Sequence, residues 1–145
     1  MRKINPQEIA PLFRAYPFIA AAYQFGSTAR GQEGPLSDLD IAILVDDKHK
    51  RAPSTLDLLR IELLLAYELQ KQLTVSEVDL INLNRQRVPL QYAVFRTGRL
   101  IYEADPHYRI HFMQKVVQAY LDFEPTLKLI SRYHTQGRLR RCGIR

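Results

Sequence analysis

Phe25-Gly26-Ser27-Thr28-Ala29-Arg30-Gly31-Gln32-Glu33-Gly34-Pro35-Leu36-Ser37-Asp38-Leu39-Asp40-Ile41-Ala42-Ile43-Leu44-Val45 is the stretch that decides how the chain folds. An apolar run, Phe18 to Phe25, ends in the small turn Gly26-Ser27, and a second apolar run carries Asp38 and Asp40 at its start. Side chains alternate faces along a strand, so positions two apart point the same way. Carboxylates held side by side repel unless a cation sits between them. A hard divalent ion with oxygen ligands meets that need. A Gly-Ser turn leading into a helix presents backbone N–H groups to phosphate. Arg30, a few residues on, is placed to reach the same phosphates or to pair with Glu33 or Asp38. The pattern points to a nucleoside triphosphate held between the turn and a carboxylate-bound metal. Taken alone, Gly26-Ser27 also reads as a plain strand-to-helix turn.

Working outward, the chain has one domain's length, 145 residues, and an ordinary globular balance of 46% hydrophobic and 25% charged residues. No apolar run approaches the length of a membrane-spanning helix, the basic start leads into Gln7 and Glu8 with no leader-like core, and Cys142 is the single cysteine. A cytoplasmic protein is expected, with no membrane partner. The net charge of +6 is carried by Lys128, Arg132, Arg138, Arg140, Arg141 and Arg145, in a segment without Asp or Glu. The body up to residue 124 is neutral, so direct nucleic-acid binding is not expected of it. The basic end can dock on RNA or an acidic protein face, or simply be solvated. The organisation expected is a body over 1–124 and a basic C-terminal helix and tail over 125–145.

Asn5-Pro6 starts a first helix that Pro11 keeps short or kinked and Pro17 ends. Phe18 to Phe25 is a buried strand, Thr28 to Gln32 one or two helical turns, and Leu39 to Val45 a central strand. Ser54 caps a long helix to about Gln72, whose leucines form one broad stripe. Val75 to Leu83 alternates as a third strand with Asp79 in its middle. Pro89 to Thr97 is a helix stopped by Gly98, and Leu100 to Tyr102 a short strand. One helix follows from Asp105-Pro106 to about Tyr120, and a separate last one runs from Pro125 to Gly137. The class is α+β, a small mixed sheet of about four strands with helices packed on it.

Asp38, Asp40 and Asp79 lie in or beside apolar strands, where a lone acid is costly to bury. If the third strand lies beside the second, the three meet, and three carboxylates can hold two Mg²⁺ for in-line attack on a phosphate. Asp79 alone also reads as an edge acid facing solvent, and Asp38 as a loop cap. His49, His107, His111 and His134 have no metal-ligand spacing.

Gly26-Ser27-Thr28-Ala29-Arg30-Gly31 followed by Ser37-Asp38-Leu39-Asp40-Ile41 resembles the signature of the DNA polymerase β-type nucleotidyltransferases, and with the short chain it is similar to their minimal nucleotidyltransferase (MNT) branch. The resemblance extends to Val78-Asp79-Leu80 and implies the polymerase β-like nucleotidyltransferase fold. It implies that Gly26 and Ser27 grip the triphosphate, assisted by Arg30. Asp38 and Asp40 then hold two Mg²⁺, and Asp79 completes the metal set and positions or deprotonates the acceptor hydroxyl. Members of this branch resemble antitoxins paired with a HEPN ribonuclease toxin. The resemblance therefore implies AMP transfer from ATP to a toxin hydroxyl, that of a tyrosine, within a complex of the two proteins. The strands and helices leave no second domain to enclose a small acceptor, which agrees with a macromolecular one. Two alternatives stay open: an antitoxin that neutralises by binding alone, and a small-molecule nucleotidyltransferase of the aminoglycoside type. Tyr92, Tyr102, Tyr108, Tyr120 and Tyr133 are either a docking surface or helix-packing aromatics.

Overall fold

Two apolar runs fold as the central pair of a four-stranded sheet in the computed structural model, which describes residues 4–26 and 39–141. These are β1 (Ile19–Phe25) and β2 (Leu39–Val45), paired antiparallel. The edges are β3 (Val78–Asn82), parallel to β2, and β4 (Arg99–Glu103), antiparallel to β1, giving the order β3-β2-β1-β4. The sheet is mixed, with helices packed on both faces, and the fold is α+β. Every residue of β2 except Asp40 is buried, as expected of a strand with neighbours on both sides and layers above and below.

The alternation along β2 sorts the two layers. Leu39, Ile41, Ile43 and Val45 face the larger core, with Ile9 and Phe13 of α1 (Pro6–Arg14) and Leu58, Leu65, Leu69 and Leu73 of α2 (Thr55–Leu73). Ala42 and Leu44 face a smaller core, with Val94 of α3 (Val88–Thr97) and Tyr108 and Phe112 of α4 (Pro106–Arg141). Asp40 belongs to the second face. Caps match the sequence. The Asn5 side chain accepts from Gln7 N–H at 3.0 Å, and Ser54 Oγ from Asp57 N–H at 3.3 Å. Gly98 N–H bonds Val94 C=O at 2.8 Å to end α3, and a Cβ at Gly98 would collide with that same carbonyl.

Three expectations change. The third strand is shorter, because Leu83 passes into a 3₁₀ turn over Leu83–Arg85. The leucines of α2 are not one stripe. Leu58, Leu65, Leu69 and Leu73 turn inward, while Leu56, Leu59 and Leu63 are exposed, because leucines spread that widely around a helix cannot all face one sheet. The last two expected helices are one, α4, unbroken at Pro125 and Gly137. Proline removes one hydrogen bond and strains the preceding turn, a cost of about 3 kcal/mol that a long helix can carry. The turns expected over 28–32 lie outside the described residues.

The far end of β2 is pinned by one side chain. Asn84 Oδ1 accepts from Val45 N–H at 2.8 Å, and its Nδ2 donates to Val45 C=O at 2.7 Å, while Tyr108 Oη donates to the same carbonyl at 3.0 Å. Asn84→Ala leaves a strand N–H unsatisfied, and should lower stability by about 1–3 kcal/mol. The check is a fall in the urea midpoint at unchanged m-value.

Candidate active site

Parallel pairing of β2 with β3 needs a crossover, and α2 supplies it. Leu39 N–H bonds Glu77 C=O at 3.1 Å where the two strands begin. The register that follows sets Leu39 opposite Val78 and Asp40 opposite Asp79. Partners in a parallel pair share a face, so both carboxylates stand on the α3–α4 side of the sheet, at its end. Asp40 is half-buried and Asp79 is exposed. Val94 of α3 packs on Ala42 and Leu44 further along the same face.

Antiparallel pairing brings the end of β1 to the same place, with Phe25 opposite Asp40 and Gly26 just beyond. Gly26 has φ +76°, a left-handed backbone that glycine adopts without penalty. A Cβ built on it would run into Asp40 Oδ2. Glycine is therefore required twice, once for the turn and once to let the Asp40 carboxylate lie against the turn backbone. Beside this turn is a cleft of about 390 Å³, lined by Phe25, Gly26, Leu90, Ala93, Val94 and Thr97. A larger cleft, about 670 Å³, lies between α1 and β4, at the opposite edge of the sheet from Asp79, and includes neither carboxylate.

Of the six residues picked out from the sequence, the structure brings Gly26, Asp40 and Asp79 together. Ser27, Arg30 and Asp38 lie outside the described residues. Among the described residues no group of three His, Cys, Asp or Glu side chains forms a metal cluster. The donors that do meet are oxygens only, on adjacent strands, with a glycine cradle beside one of them. That set fits a hard divalent cation and not a soft one. His107 and His111 are exposed on α4. The tyrosines are packing groups: Tyr92 stacks on Tyr120 at 3.8 Å, Tyr102 on Phe13 at 5.0 Å, and Tyr108 bonds Val45, while the Tyr133 side chain is outside the described set. Sequence reading did not mark α3 as the wall of the cleft beside Gly26. Its ten residues carry no signal for which strand they cover.

A sheet that sets two aspartates side by side next to a glycine turn defines a class. The chain belongs to the polymerase β nucleotidyltransferase family, whose model matches residues 7–107. Several solved structures with the same fold come from toxin–antitoxin complexes. A chain of a toxin–antitoxin crystal structure with AMP-PNP is 24% identical with a TM-score of 0.71, over 91% of this chain and 99% of that one. A chain of the MntA–HepT toxin–antitoxin structure is 22% identical with a TM-score of 0.66, over 92% and 99%. A chain of a tri-AMPylated Shewanella oneidensis HEPN toxin in complex with an MNT antitoxin is 23% identical with a TM-score of 0.66, over 93% and 99%. No curated protein matches the chain significantly. Among the described residues no helix is long and apolar enough to cross a membrane.

Proposed function

We propose that this chain is the antitoxin of a two-protein module and transfers AMP from ATP to a hydroxyl, that of a tyrosine, on a partner HEPN toxin. The observation that carries the reading is the Asp40–Asp79 pair set against Gly26. Nearly full-length fold similarity to chains of toxin–antitoxin complexes, one with AMP-PNP and one with a tri-AMPylated toxin, supports the choice of nucleotide and partner.

Asp38, Asp40 and Asp79 would hold Mg²⁺, two ions in all, which when bound neutralises charge developing on the phosphates. The Gly26 turn, with Ser27 and Arg30, receives the triphosphate on backbone N–H groups and a guanidinium. Asp79, on the exposed edge strand, accepts the proton of the acceptor hydroxyl. The acceptor oxygen bonds to the α-phosphorus, the bond from that phosphorus to the bridging oxygen breaks, and pyrophosphate leaves with the electron pair. Because Asp79 is open to solvent, the acceptor can arrive on the surface of another protein.

The test is to incubate the chain with ATP, Mg²⁺ and its HEPN partner and to weigh the partner. It should gain one or more adenylyl groups and lose ribonuclease activity. A partner silenced without gaining mass would sink the reading in favour of neutralisation by binding.

A further inference from the structure

The outward face of α2 has no account in the fold or in the transfer reaction. Leu63 is 74% exposed, and Leu56, Leu59, Leu64 and Tyr67 are between 43% and 59% exposed. They are spaced by three, four or one residues along the side opposite the buried Leu58, Leu65, Leu69 and Leu73, and so form one contiguous strip. Single exposed leucines are ordinary, but five large apolar side chains on one helix face mark a contact surface.

We propose that this face is the two-fold interface of a homodimer, with α2 packed antiparallel on α2 of a second copy about Leu64. The charges select the occupant. The strip is flanked by Asp57, Arg60, Glu68 and Lys71. Reversing the helix about Leu64 lays Arg60 on Glu68 of the copy and Asp57 on Lys71, so every flanking charge meets its opposite. The four charges lie along one edge of the strip, and a parallel two-fold copy would put that edge on opposite sides of the helix pair, leaving the charges without these partners. The mixed signs also leave the strip without preference for an acidic or a basic foreign surface. Self-complementarity of one patch is what a two-fold contact between identical chains requires. In isolation Arg60 pairs weakly with Asp57 of its own helix at 3.6 Å, and Lys71 lies 5.4 Å from the Tyr67 ring centre, so both cations are already held along the strip. Because α2 covers the sheet face away from Asp40 and Asp79, the dimer leaves both carboxylates open.

The inference goes beyond the transfer reading and does not depend on it. Light scattering on the full chain at micromolar concentration should give twice the 16.9 kDa chain mass. Leu63→Glu should give the single mass with the circular dichroism of the wild type, since its side chain points away from the core, and should remove the rise in melting temperature with chain concentration that the dimer gives. Arg60→Glu should raise the dimer dissociation constant at least tenfold, and adding Glu68→Arg should restore it. A wild-type chain that is monomeric overturns the proposal. So does a Leu63→Glu dimer, or a charge reversal that worsens with the second change. Loss of binding to a different protein in Leu63→Glu, with the wild type monomeric, would assign the face to that protein instead.

Discussion

Asp40→Asn should cut AMP transfer by about a thousandfold or more while leaving the fold intact. The carboxylate stands in the middle of the site, opposite Asp79 and against the turn at Gly26. Asparagine keeps the size and one oxygen but loses the charge that a divalent cation needs. Removing several kcal/mol of transition-state charge stabilisation corresponds to that factor. Asp40 is buried only in part, so the change leaves no apolar cavity. Two measurements separate this from misfolding. Circular dichroism should match wild type, and the rise in melting temperature that Mg²⁺ with a non-hydrolysable ATP analogue gives the wild type should vanish. Transfer within tenfold of wild type would refute the assignment of Asp40. Asp79→Asn should be nearly as severe, with a weaker effect on nucleotide-dependent stabilisation, because its proposed work is on the acceptor side.

Gly26→Ala is the second large effect, and it acts through geometry alone. One methyl group at φ +76° costs about 1–2 kcal/mol of backbone strain. The same methyl occupies the space of the Asp40 carboxylate, which must rotate away or push the turn outward. Misplacing a reacting group by about 1 Å is enough for a loss on the order of a hundredfold. The expected result is a fall of that size in transfer together with a lower melting temperature. Gly98→Ala is the control. It meets the Val94 carbonyl with no carboxylate near, so it should lower stability without a comparable loss in rate beyond the unfolded fraction. Equal activity loss in the two variants would show that Gly26 acts only through stability.

The strands that carry the site were legible because their chemistry is local. An apolar run, a glycine turn and acids two apart identify β1 and β2 wherever helices lie. The convergence of Asp79 with Asp40 was conditional on strand order, which no local pattern encodes. It is α2 and the Leu39–Glu77 bond that set the register. Other features were hidden for equally physical reasons. Periodicity counts apolar residues around a helix but does not say which way they face, so the outward leucines of α2 were grouped with the inward ones. Pro125 and Gly137 reduce helix stability without forbidding a helix, and α4 passes through both. Asn84 looks like any turn residue until its side chain is seen pairing with both polar groups of Val45.

The position of Asp79 on β3 has a dynamic consequence. β3 is five residues long and lies at the edge of the sheet, so its opening draws on a single ladder, the one it shares with β2. Short edge strands are where native proteins breathe first, and their amides exchange early. Asp40, by contrast, rides on a strand clamped from both sides. The two halves of the site therefore differ in stiffness. On the proposed roles, the half that would hold the nucleotide is the stiffer, and the half that would face the incoming acceptor opens more easily with its strand. A partner that seats its hydroxyl against Asp79 would quiet the part of the sheet that the fold itself holds least firmly.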